Sequence, residues 1–204
     1  FELSPLERGC VLRISYGGSG QPYLSVLPVG GMCGYRLCPE ENRLIGYTKL
    51  HSTMDKTVGF CMHFVVEFEG DVLDAGRTMV VAGDEPPVHG LSVEGEKTGI
   101  HIAFKERVVE ARVAISYISA DQALLNLEQE RPAGDLEAAR SAAEKIWEEY
   151  LSRIRVEMET EDELRTFYSC MYRVFLFPHK CYEYDKDGRC VHYCPHDGSV
   201  REGV

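Results

Sequence analysis

Residues 110–177 constrain the chain most, because within them the hydrophobic period changes from about two to about 3.6 residues. Period two turns one face of a strand inward. Period 3.6 turns one stripe of a helix inward, and no single element serves both patterns. A strand-rich half therefore ends near this stretch and a helical half begins within it.

Upstream, residues 9–17 set Val11, Arg13 and Ser15 against Leu12, Ile14 and Tyr16, the pattern of a half-buried strand. The glycine-rich residues 17–22 form a turn or loop. Residues 22–31 are a second candidate strand, weakened by Pro28. Residues 41–51 are a third, opened by the Glu41-Asn42 turn signal. The strongest spans 59–71, with Phe60, Met62, Phe64, Val66 and Phe68 on one side and Cys61, His63, Val65 and Glu67 on the other. Residues 77–83, 99–106 and 109–119 continue the pattern. Short strands at close spacing, with no helix between them, predict an antiparallel sandwich.

At Ser119 the pattern changes. Ser119-Ala120-Asp121-Gln122 fits a capping box, in which the serine hydroxyl caps free amides and Gln122 reaches back. A short helix over 121–130 follows, and Arg131-Pro132-Ala133-Gly134 breaks it. A longer helix over 135–154 carries the stripe Leu136, Ala139, Ala143, Ile146, Trp147, Tyr150 and Ile154. Thr160-Glu161-Asp162-Glu163 is a second capping box, opening a helix through residue 177 that Pro178 ends. Leu164, Phe167, Met171 and Phe175 share one face of it, while Cys170, Val174 and Leu176 make the opposite face apolar too. A helix apolar nearly all round is buried on both sides. The 204 residues supply no second layer for it, so its cover is expected after Val204. The alternatives are the sandwich itself or a dimer partner. Phe1 is not a start methionine, which suggests a cut or processed end.

The formal net charge of −11 gives no electrostatic reason to bind nucleic acid or an anionic membrane. No apolar run is long enough for a transmembrane helix. Eight cysteines, several inside apolar runs, point to reduced thiols and favour a cytoplasmic or otherwise reducing setting.

The tail gathers Cys181, Cys190, His192, Cys194 and His196, with His179 nearby, but offers no Cys-x-x-Cys knuckle. It reads better as a hairpin of half-buried residues turning at Asp187-Gly188. The pairs Glu67/Glu69 and Asp185/Asp187 have the chemistry for acid–base work, yet each sits beside a turn, where solvated charge is usual. The acidic run Glu157, Glu159, Glu161, Asp162 and Glu163 complements a helix N-terminus. His63 lies in an apolar strand as a core histidine, and Gly17, Gly18 and Gly20 lack the lysine and helix of a phosphate loop.

Residue chemistry alone names no activity; a resemblance does. VEARVAISYISADQALLNLEQE (residues 109–130) resembles the strand-to-helix passage V-x-V-R-V-G-x-S-F-I-S-x-x-Q-A-x-x-N-L of glycoside hydrolase family 92, the calcium-dependent exo-α-mannosidases. Residues 142–157 and 166–189 are similar to that family's W-x-x-x-L-x-x-I-x-V, F-Y-x-x-x-Y-R-x-x-x-x-P and D-x-x-G-R stretches. Tyr117 and Ala114 stand where the family has Phe and Gly, and the cysteine-rich tail is atypical. The resemblance implies an α+β architecture: an antiparallel β-sandwich, then linker helices, then the first helix of an incomplete (α/α)6 barrel. The expected divisions are 1–119, 120–158 and 159–204. It also implies inverting, calcium-dependent removal of terminal α-linked mannose from a mannoside or N-glycan. The acid, base, calcium ligands and a Phe-Trp-Asp-Thr motif are expected after Val204, so this chain alone is expected to be inactive. His179, Tyr184, His196 and Asp197, nearest that motif, are the candidate substrate contacts. Export is the habit of many relatives and leaves the compartment open. The other reading is a non-catalytic carbohydrate-binding or interaction module with a β-sandwich fold.

Overall fold

The computed structural model describes residues 1–27, 31–49, 60–176 and 179–204. In chain order the strands of the first part are β1 (Glu2–Pro5), β2 (Gly9–Ser15), β3 (Tyr23–Val26), β4 (Met32–Cys38), β5 (Arg43–Thr48), β6 (Met62–Phe68), β7 (Met79–Val81), β8 (Val88–His89), β9 (Ser92–Glu96), β10 (Gly99–Ala103) and β11 (Val108–Ser116). Three helices follow: α1 (Ala120–Glu130), α2 (Leu136–Leu151) and α3 (Glu161–Leu176). The chain closes with β12 (Tyr182–Tyr184), β13 (Cys190–Tyr193) and β14 (Val200–Glu202).

The strands of the first part form two antiparallel sheets, as the alternation predicts. One has seven strands in the order β1-β2-β11-β6-β5-β4-β9, the other four in the order β3-β10-β7-β8. Between them lies the main core. Leu12, Ile14, Leu37, Leu44, Val66, Phe68, Val109 and Ala111 of the larger sheet meet Val80, Ile100 and Ile102 of the smaller, and Phe104 beyond β10 joins them. Phe68 and Phe104 meet edge-on with ring centroids 5.4 Å apart.

The larger sheet is covered on its outer side too. Val65 and Ala114 pack under Ala123 and Leu127 of α1. Val11 packs under Leu136 and Ala139 of α2. The half-buried reading of residues 9–17 is thus corrected: Val11 is as buried as the inward Leu12 and Ile14. The helices that cover it lie more than a hundred residues downstream, where strand periodicity carries no trace of them.

The sequence pattern misses β1, β4, β8 and β9. In β4, MCGYRLC, flanking glycines and Pro39 mimic a turn, while pairing with β5 and β9 makes it a strand. The Glu41-Asn42 turn is real: Asn42 adopts the left-handed conformation after a 3-10 turn over Pro39–Glu41. Leu50 and His51 of the third expected strand, Pro28 in the second and Gly59 before the strongest lie outside the described residues. So do Phe177 and Pro178, where the last helix was expected to end.

The helix caps follow the sequence with one change. Ser119 Oγ accepts from the Gln122 amide at 3.0 Å, but the Gln122 side chain does not reach back; it turns to Asn126 and Tyr184. The second box is complete, with Thr160 Oγ1 accepting from the Glu163 amide at 3.3 Å and Glu163 accepting from the Thr160 amide at 3.1 Å. The break between α1 and α2 turns on Gly134, whose φ of +80° suits glycine and where a Cβ would sit 2.8 Å from Ala138 Cβ. Its carbonyl accepts from the Arg112 guanidinium, tying the break to β11.

Helix α2 ends at Leu151 rather than residue 154. The apolar period runs on to Ile154, but nothing covers that side chain, and period without a partner surface extends no helix. Of the α2 stripe only Leu136 and Ala139 are buried. In α3 only Met171 is buried; Val174 is 69% exposed. The two helices touch through aromatic pairs, Trp147 with Tyr172 at 4.5 Å and Tyr150 with Phe175 at 5.4 Å between centroids. Neither apolar face of α3 is fully covered among the described residues.

If the inter-sheet core holds the sandwich together, Phe104→Ala lowers unfolding stability by about 3–5 kcal/mol. Urea denaturation followed by tryptophan fluorescence and circular dichroism measures this.

Candidate functional site

The tail is a three-stranded antiparallel sheet, β12-β13-β14, standing against the junction of sandwich and helices. Its first turn is the expected Asp187-Gly188 hairpin. Gly188 takes a φ of +74°, and Asp185 accepts the amides of Asp187 and Arg189, each at 2.9 Å. The second turn is built on Asp197, which accepts from the Ser199 hydroxyl at 2.7 Å, the Ser199 amide at 3.0 Å and Arg201 Nη2 at 2.6 Å.

Both carboxyls are held below the usual carboxylate range, Asp197 chiefly by the Ser199 hydroxyl and Asp185 chiefly by the Arg189 amide. They are turn-formers. The other carboxylate pair has a structural partner as well: Glu67 bonds Arg43 at 2.7 Å and Arg131 at 2.8 Å, and Glu69 lies 3.9 Å from Arg112. His63 stays in the sheet beside Tyr47, its pKa lowered chiefly by burial.

Strand register locates the four candidate contacts. Tyr182 pairs with His192 and Tyr184 with Cys190, so Tyr184 lies at the Asp187 end of the sheet. His179 precedes β12, and by register it lies at the opposite end, toward the turn that carries His196 and Asp197. At about 3.3 Å per residue, His179 and Tyr184 stand roughly 16 Å apart along the chain. All four are exposed. Tyr182 and Tyr184 project to the outer face of β12, with ring centroids 5.7 Å apart. Glu183 between them is buried.

His179 also borders a cleft of about 840 Å³ between α2, α3 and the start of the chain, lined by Trp147, Tyr172, Phe175, Glu130 and Lys180. Sequence reading missed Glu130. Its Oε1 accepts the Arg8 amide while Oε2 has no hydrogen-bond partner among the described residues, and burial pushes its pKa up. It sits at the last position of α1, so only the chain's return to Arg8 marks it. Among the described residues no three of His, Cys, Asp and Glu gather into a group able to hold a metal. None of the eight cysteines is joined in a disulfide in this structure.

Residues 122–204 match the model of the glycosyl hydrolase family 92 catalytic domain. A solved inverting mannosidase of that family from Bacteroides thetaiotaomicron superposes with a TM-score of 0.87 at 31% identity, over 98% of this chain and 27% of its own. Over residues 122–204, about two fifths of its length, the chain is thus similar to the catalytic domain of family 92. A second family 92 α-mannosidase from the same organism, solved in complex with mannoimidazole, has a TM-score of 0.78 at 18% identity, over 99% of this chain and 27% of its own. An uncharacterized secreted glycosidase of Arthroderma benhamiae is 33% identical over 110 residues, 48% of this chain and 14% of that protein. The chain thus spans about a quarter or less of the family 92 and secreted relatives it matches. Among its described residues no helix is long and apolar enough to cross a membrane.

The depressed Asp197 pKa sets a pH dependence with a definite sign. The turn's stabilisation is present above the ordinary aspartate value of about 3.9 and is lost as pH falls through the lower folded value. Hydrogen exchange at the Ser199 amide is expected to speed up on acidification below that range. In Asp197→Asn the acid step disappears.

Proposed function

We propose that this chain forms part of a glycoside hydrolase that removes terminal α-linked mannose from mannosides or N-glycans with inversion. The observation that carries this reading is the superposition of nearly the whole chain, at 31% identity, on an inverting mannosidase. The mannoimidazole complex of a second relative supports a mannose-shaped site in the intact enzyme. In such a reaction one carboxylic acid protonates the leaving oxygen and a second carboxylate activates water on the opposite face. Among the described residues, the tail's Asp185 and Asp197 are engaged in turns, and Glu67 is paired with arginines. We therefore assign acid and base to neither group, and read the 204 residues alone as inactive.

Calcium belongs to this reading of the intact enzyme. The described residues do not fit a site for it, since no cluster of metal-holding side chains forms among them, and we assign none of its ligands here.

The exposed apolar faces of α2 and α3 support a further element of the reading: that they open an (α/α)6 barrel completed by other parts of the same polypeptide. His179, Tyr184, His196 and Asp197 are our proposed substrate contacts, at the two ends of the tail sheet. The eight thiols support a reducing compartment, and the naming of one relative as secreted supports export.

Two measurements test this. The intact polypeptide carrying this chain hydrolyses an aryl α-mannoside with calcium present and releases the inverted anomer by proton NMR. The purified 204-residue chain gives no turnover in the same assay; clear turnover by it contradicts our division of roles. Independently, a protein matured in a reducing compartment takes up eight alkyl groups when denatured without reductant, one per free thiol; a shortfall in pairs marks disulfides and export.

A further inference from the structure

Strand β12 is three residues long, pairs on one edge with β13, and has no partner strand on its other edge among the described residues. Such an edge presents alternate unpaired carbonyls. Here side chains take them in turn. Arg8 reaches the carbonyls of Lys180 and Tyr182, while Gln122 Nε2 donates to that of Tyr184 at 2.7 Å and Gln129 Nε2 at 3.3 Å. Between these carbonyls the Glu183 side chain turns inward and is 3% exposed. Its Oε1 accepts the Tyr117 amide at 2.9 Å and its Oε2 accepts Asn126 Nδ2 at 2.7 Å. Asn126, itself 2% exposed, also donates to the Ile115 carbonyl at 2.8 Å and accepts Gln122 Nε2 at 3.0 Å.

One connected set of hydrogen bonds thus joins the end of β11, the first turns of α1 and the inner side of β12. A carboxylate taken out of water needs such donors, because leaving it unmatched is costly. Each bond it accepts is charge-assisted and directional, so the set fixes position as well as attachment. The strand it fixes is the one that sets Tyr184 on the outer face.

We propose that Glu183, Asn126 and Gln122 act as a positioning clamp that sets the height of β12 on the sandwich–helix junction and so places Tyr184 for sugar contact. The second half of this rests on the reading of Tyr184 given under Proposed function; the first half stands on the geometry alone. These are positioning residues and touch no substrate.

The test uses the intact polypeptide and two readouts. Glu183→Gln sets an amide NH2 against donors that a carboxylate accepted. Exchange of the amides in 182–193 is expected to rise about tenfold, the loss of one charge-assisted bond, while the amides of Ile102 and Val66 in the core keep their protection. Gln122→Met, which leaves Glu183 in place, produces the same change centred on Tyr184 and guards against a folding failure of the first variant. Asn126→Asp, which sets a carboxylate oxygen against both Glu183 and the Ile115 carbonyl that Asn126 Nδ2 serves, is expected to speed exchange across the same amides. On the aryl α-mannoside, Glu183→Gln raises KM by about tenfold with kcat within about twofold. Unchanged exchange in Glu183→Gln and Gln122→Met overturns the clamp. Faster exchange with KM unchanged, together with an unchanged KM in Tyr184→Ala, keeps the clamp and overturns the sugar-contact reading. Faster exchange with KM unchanged while Tyr184→Ala does raise KM overturns the positioning role.

Discussion

Burial of β11 on both faces is the constraint on which the rest of this structure depends. Val109 and Ala111 enter the core between the sheets, while Ala114, at the next turn of the pleat, lies beneath α1. A strand with only one buried face leaves the following helix free to swing. Here the small side chain of Ala114 lets Ala123 and Leu127 come down onto the sheet, and removing such packed apolar area from water is what holds α1 in place. Because α1 starts four residues after β11 ends, its direction is set as soon as it packs.

Electrostatics secures the same junction. Arg43, Glu67, Glu128 and Arg131 form a ring of ion pairs joining β5, β6 and the end of α1. Glu67 is only 17% exposed, so this ring is less screened than a surface pair, though two of its members remain half open to water. Arg112, nearly buried, reaches across to the carbonyl of Gly134 at the break before α2. The sandwich thereby grips each of the first two helices by a buried apolar contact and by an arginine. It grips the tail through Glu183. Among the described residues helix α3 receives no such hold from the sandwich, and Val174 and Leu176 on it lie open, which accords with our proposal that its cover lies elsewhere in a longer polypeptide.

Much of this was legible in the sequence because it is local. Period-two alternation marked β2, β6 and β11; Ser119 and Thr160 marked two helix starts; Asp187-Gly188 marked a hairpin. The misses share a physical cause. Strands β4 and β9 are strands through pairing with each other, and Val11 is buried by a helix far away in sequence. Glu183 carries no local signal of its burial, which depends on Tyr117 and Asn126 far earlier in the chain. Asp197, one of the four proposed contacts, also builds a turn through Ser199, a role that its place in the sequence does not show. Local pattern yields elements and caps. Which charged side chain is buried, and by what, is decided by contacts that pattern does not contain.

Our central proposal is that the sheet β12-β13-β14, held to the sandwich, borders the sugar site of the intact enzyme. A crystal structure of the intact polypeptide with mannoimidazole tests it most directly. The expected result is the ligand beside this sheet, with Tyr184 or His196 within about 4 Å of a sugar atom. A ligand bound with no atom of residues 179–197 in contact contradicts it.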